Sequence, residues 1–106
     1  MPTYNKLVRD RIPEIIERSG RGFRTEILDT RSYDQQLREK LKEEMNELLG
    51  ATSRKEIVEE MADLLEVVYA LGSIHDVQPD EIEQVRMRKQ TERGGFSDRI
   101  FLIDVE

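Results

Sequence analysis

LREKLKEEMNELLGATSRKEIVEEMADLLEVVYAL, residues 37–71, holds two runs of helical periodicity divided by a short break. In the first, Leu37, Leu41, Met45 and Leu48 follow one another at steps of four, four and three, and Gly50 stops the run. The spacing predicts a helix from about Ser32 to Leu49. In the second, Ile57, Met61, Leu64, Val68 and Leu71 form one stripe. Val58, Ala62 and Leu65 widen it on one side, and Val67 and Ala70 on the other. This helix should start after Thr52 or Ser53, which are good N-caps, and fray at Gly72 or His75.

Four acids fall where such stripes should be apolar. At roughly 100° per residue, Glu44 lies close to the Leu37 direction and Glu47 on the shoulder of the same stripe. Glu60 falls beside Leu64 and Val67, and Asp63 beside Val67 and Ala70. Each helix thus brings two carboxylates at i, i+3, a spacing that puts both on one face. If the helices pack antiparallel across residues 50–53, four carboxylates converge with no Lys or Arg inside the stripe. An isolated buried carboxylate costs several kcal/mol or takes up a proton, so a hard divalent cation such as Mg²⁺ is the natural countercharge. Glu39, Glu43 and Glu59, in a chain that is 38% charged, read more simply as solvated residues.

Outward from this pair, a short helix is expected near Asp10 to Pro13, with Asp10 as N-cap, ending at Ser19-Gly20. A fourth begins at Pro79-Asp80-Glu81 and stops at Gly94-Gly95. Residues 23–28 and the tail RIFLIDVE, 99–106, carry β-branched and aromatic residues that suggest short extended pieces able to pair. The class is therefore all-α, a bundle of about four helices completed by oligomerisation, with at most a minor β pair. The length, 106 residues, fits one domain over 1–106.

Composition narrows the function. With 17 Lys+Arg against 23 Asp+Glu the net charge is −6, which disfavours a binder of polymeric nucleic acid. The absence of cysteine removes thiolate metal sites and cysteine nucleophiles. His75 is the single histidine and position 72 is glycine, so the Glu-x-x-His motif of di-iron bundles cannot form; His75 reads as a helix-end surface residue. The opening MPTYNKLVRDRIPEII lacks an apolar signal region, and no apolar run approaches the length of a membrane span. A cytoplasmic protein is expected. No GxxxxGK[ST], GxSxG or GxGxxG motif occurs.

Written as Glu43-Glu44-x-x-Glu47, twelve residues, then Glu60-x-x-Asp63, the pattern resembles the EExxE…ExxD signature of the all-α nucleoside triphosphate pyrophosphohydrolases, which include MazG, dimeric dUTPases and phosphoribosyl-ATP pyrophosphohydrolase. Tyr4-Asn5-Lys6-Leu7-Val8-Arg9-Asp10-Arg11-Ile12-Pro13-Glu14-Ile15-Ile16 and Lys89-x-x-x-Arg93-Gly94-Gly95-Phe96 make the chain similar to the small MazG-like house-cleaning subgroup. The resemblance implies a helical dimer or higher homo-oligomer that hydrolyses a nucleotide to its monophosphate and pyrophosphate with Mg²⁺ or Mn²⁺. Matched residue by residue, it makes Glu44, Glu47, Glu60 and Asp63 metal ligands.

Around that metal set, Glu43 or Glu59, each one residue from a ligand, is placed to orient or deprotonate the attacking water. Lys6, Arg9 and Arg11, with Lys89 and Arg93, are candidate phosphate donors, and Asn5 a candidate base or sugar contact. Gly94 and Gly95 read as a chain reversal rather than a phosphate cradle. The uncovered circumference of the 57–71 helix predicts a dimer, in which Lys89 and Arg93 of one copy complete the acid site of the other. Two other readings compete: a narrow phosphoribosyl-ATP pyrophosphohydrolase, and a non-catalytic acidic helical module that docks a basic partner.

Overall fold

The computed structural model describes residues 2–106 and contains four helices. These are α1, Ile12–Arg18; α2, Thr30–Gly50; α3, Arg54–Ile74; and α4, Pro79–Arg93. Local chemistry accounts for most of their ends. The Asp29 carboxylate accepts from the Ser32 backbone N–H at 2.8 Å, so α2 starts two residues before the expected Ser32. Ser53 Oγ accepts from the Glu56 N–H at 3.1 Å, and the Glu56 side chain accepts in return from the Thr52 N–H at 3.4 Å. Pro79 opens α4, and Gly94, at φ 82°, closes it. At α1 the expected cap is corrected: Arg11, not Asp10, is the N-cap, and no side chain caps the helix there. Pro13 in the first turn removes one of the backbone donors that a cap would serve.

The turn from α3 to α4 depends on Gly72. Val77 and His75 both donate their backbone N–H to the Gly72 carbonyl, at 2.9 and 3.0 Å. A Cβ on residue 72 would lie 3.2 Å from the Val77 carbonyl oxygen, tighter than ordinary contact, and 3.4 Å from Ile82 Cδ1, so a side chain would make the Val77 backbone give by a few tenths of an ångström.

The extended pair expected between 23–28 and 99–106 does not form: among the described residues there is no strand. Residues 21–29 are a linker between α1 and α2, and Phe101 in the tail is 88% exposed. Two short strands alone are marginal in water, and neither piece finds a helix face to lie on.

α2 packs on α3 across residues 51–53, and this is the one extensive helix–helix contact among the described residues. Leu37, 3% exposed, and Val67 are the buried apolar side chains among the described residues. The molecule measures 62 × 34 × 24 Å with a radius of gyration of 18.2 Å, against about 13 Å for a compact chain of this length. Elongation leaves apolar surface open, with Met45, Leu49, Val58, Met61 and Leu65 on the hairpin and Phe96, Phe101 and Ile103 in the tail all exposed. No helix among the described residues is long and apolar enough to cross a membrane.

Candidate functional site

The α2–α3 hairpin brings acids of both helices together. Glu44 and Glu47 from α2 and Glu60 from α3 each offer a carboxylate oxygen, and these oxygens lie within 4.8 Å of one another. Glu44 is only 7% exposed, Glu60 is partly buried and Glu47 faces solvent. Glu44 Oε2 and Glu60 Oε2 are both buried without a hydrogen-bond partner. Their environment favours the neutral form. Burial, then the charges of Glu47 and Asp63, raise the Glu44 carboxyl above the usual range. Glu60 is pushed up to about 7, first by loss of hydration and then by sharing space with Glu47, Asp63 and Glu44.

Asp63 does not join the tight cluster. Its Oδ1 accepts a hydrogen bond from Arg9 Nη2 at 2.7 Å, so a basic residue of the N-terminal segment holds it instead. The stripe is also less purely acidic than the sequence suggests. Lys40 Nζ lies 4.0 Å from Glu44 Oε1 and 3.9 Å from Glu43 Oε2. Its place, one helical turn before Glu44, is a signal that i, i+4 spacing carries and that a search for acids overlooks. One ammonium near three carboxylates leaves the cluster short of positive charge. Crowded carboxylates with orphaned oxygens are a donor set suited to a hard cation.

The remaining candidates divide by position. Asn5 and Lys6, with Leu7, line one side of a groove of about 590 Å³ whose other side is α2, including Gln36, Lys40, Lys42, Glu43 and Asn46. Lys6 Nζ also sits 5.7 Å from the centroid of the Tyr4 ring. Glu43 therefore faces the groove, whereas Glu59 is exposed on α3. Arg11 is engaged locally by Glu14 at 3.1 Å. Lys89 and Arg93 are exposed on α4, which makes no extensive contact with α2 or α3, so one chain alone does not bring them to the acids. His75 sits exposed at the C-cap of α3, as a helix-end residue should.

This arrangement of acids on a helical hairpin sits inside a family match: the phosphoribosyl-ATP pyrophosphohydrolase model matches residues 3–89. The chain belongs to that family. Its members form part of the MazG-like all-α nucleoside triphosphate pyrophosphohydrolase superfamily, hydrolases acting on phosphoric anhydrides. The matched span takes in the N-terminal segment, α1 to α3 and most of α4, and with them all the acids and every basic candidate except Arg93. The Arg93-Gly94-Gly95-Phe96 turn and the exposed tail lie beyond it. Searches of curated proteins and of solved structures each gave no match.

Proposed function

We propose that this member of the phosphoribosyl-ATP pyrophosphohydrolase family cleaves the α–β phosphoric anhydride of a nucleotide in a Mg²⁺-dependent reaction, with Mn²⁺ as a substitute, releasing a nucleoside monophosphate and pyrophosphate. The observation that carries this reading is the pair of buried, unpartnered oxygens, Glu44 Oε2 and Glu60 Oε2, inside a three-carboxylate cluster. A fold does not keep such groups without a counter-ion unless their charge has a use. Glu44, Glu47 and Glu60 hold the ion, with Asp63 as fourth ligand. When bound, the ion offsets phosphate charge and lowers the pKa of the attacking water. Glu43 or Glu59 orients that water or takes its proton. Lys6, Arg9 and Arg11, with Lys89 and Arg93, supply cationic donors to phosphate oxygens, and Asn5 contacts the base or sugar.

For the substrate we favour a nucleoside triphosphate, including non-standard ones removed in house-cleaning. Phosphoribosyl-ATP is the second reading, favoured by the description of the matched family. A panel of common, deoxy, oxidised and deaminated triphosphates together with phosphoribosyl-ATP, each at fixed Mg²⁺, tests both. The expected products are monophosphate and pyrophosphate. Release of orthophosphate and diphosphate overturns the assignment of the bond cleaved, and turnover of phosphoribosyl-ATP alone selects the second reading.

We further propose that the working form is a homodimer. Val58, Met61 and Leu65 on one face of α3, with Met45 and Leu49 on α2, leave apolar surface of the hairpin open, which a second copy covers with the same residues. Lys89 and Arg93 then reach the acids of the neighbouring copy. Light scattering should give twice the chain mass of 12.5 kDa at micromolar concentration, and Met61→Asp should halve it. A wild-type monomer overturns the dimer.

A further inference from the structure

Arg9 and Asp63, 54 positions apart, are joined by a 2.7 Å hydrogen-bonded ion pair. Every other side-chain hydrogen bond or ion pair among the described residues spans four positions or fewer. This pair is therefore the polar link between the N-terminal segment and the hairpin, and it ends on Asp63, the one of the four candidate metal ligands that stands outside the cluster.

We propose that Arg9 is a displaceable counter-ion of the acid site: it neutralises Asp63 in the metal-free protein, leaves when a divalent cation takes up Asp63, and then grips the phosphate oxygens of the substrate. The proposal rests on the metal-dependent reading above and adds an order of events to it. Three observations support it. First, the acids need a stand-in charge while no cation is present, and besides Lys40, 4.0 Å from Glu44, the guanidinium of Arg9 is, among the described residues, the cation that reaches them from another part of the chain. A guanidinium keeps its charge at any working pH, so it competes with a cation throughout.

Second, the pair is weak by position. The two side chains are 58% and 41% exposed, and exposed ion pairs are screened and contribute little, so a divalent ion displaces this one readily. Third, Leu7, partly buried two positions before Arg9, lines the groove against α2 and keeps the segment beside the hairpin. Once released, Arg9 therefore stays within a side chain's length of the cluster, where its planar fork suits two phosphate oxygens at once. The same residue thus opposes the cation and favours the nucleotide.

Those opposite signs make the test. Titration calorimetry of the full chain with Mn²⁺ alone, without nucleotide, should show Arg9→Ala binding the ion about two- to fivefold more tightly than wild type, the range expected for an exposed ion pair. With the cation fixed, a nonhydrolysable triphosphate should bind the same variant about tenfold more weakly. Arg9→Lys should restore the competition with Mn²⁺ but recover only part of the nucleotide affinity. Helicity by circular dichroism should not change, since Arg9 lies outside every helix. Unchanged or weaker Mn²⁺ binding by Arg9→Ala overturns the counter-ion role, as does unchanged nucleotide affinity. Wild type that takes up no Mn²⁺ overturns the metal reading itself, a separate result visible before any variant is made.

Discussion

Replacing any one of Glu44, Glu47, Glu60 or Asp63 by its amide is expected to lower turnover by more than about a hundredfold, above the loss usually seen when an outer partner of a metal ligand is removed. The amide keeps the size of the side chain and deletes the charge that would hold the cation. At Glu60 stability should move the other way. The folded environment of Glu60 raises its carboxyl to about 7 from an ordinary 4.5, so the folded state prefers the protonated acid. Below pH 4.5 the group is protonated in both states and contributes no penalty. Between pH 4.5 and 7 the unfolded chain loses the proton first, so stability falls as pH rises, and above 7 the full penalty stands. Glutamine at position 60 has no such penalty. In chelator, Glu60→Gln should therefore melt higher than wild type, by a margin that opens between pH 4.5 and 7 and then stays level. Wild-type turnover in all four amide variants sinks the four-carboxylate site, and a margin that does not vary with pH sinks the crowding of Glu60.

Leu37→Ala should be the most damaging single change to the fold. Leu37 is the most deeply buried apolar side chain, on the face where α2 meets α3, and truncating such a residue costs about 2–5 kcal/mol. A core with two buried apolar side chains among the described residues has little to redistribute. A fall in melting temperature of at least about 10 °C is expected. Ile27→Ala, at a position almost wholly exposed in the linker, should shift it by little, within about 0.5 kcal/mol. Thermal melts of both variants decide this, and a Leu37→Ala protein as stable as the Ile27→Ala one contradicts the central role of the hairpin.

That hairpin was largely legible before any coordinates. The steps between Leu37, Leu41, Met45 and Leu48, and the glycines at 50 and 94, mark helices whose ends fall within a few residues of the observed ones, because periodicity and capping act over one or two turns. The interruption of both stripes by acids was visible for the same reason: i, i+3 pairs share a face in any α-helix. The extended character of 23–28 and 99–106 misled, because β propensity reports how a residue packs in a sheet and no strand forms among the described residues to receive either piece.

The sequence by itself thus determined four helices, a short link between α2 and α3, and acids at set positions on each, all consequences of backbone geometry within one segment. Only the tertiary structure decided which charges meet. The crossing of α2 on α3 brings Glu60 to Glu44 and Glu47, while Arg9 pairs with Asp63. These outcomes depend on distances between segments 13 to 54 residues apart in sequence, where Coulomb energy varies with each ångström and with the depth of burial. No local pattern encodes them.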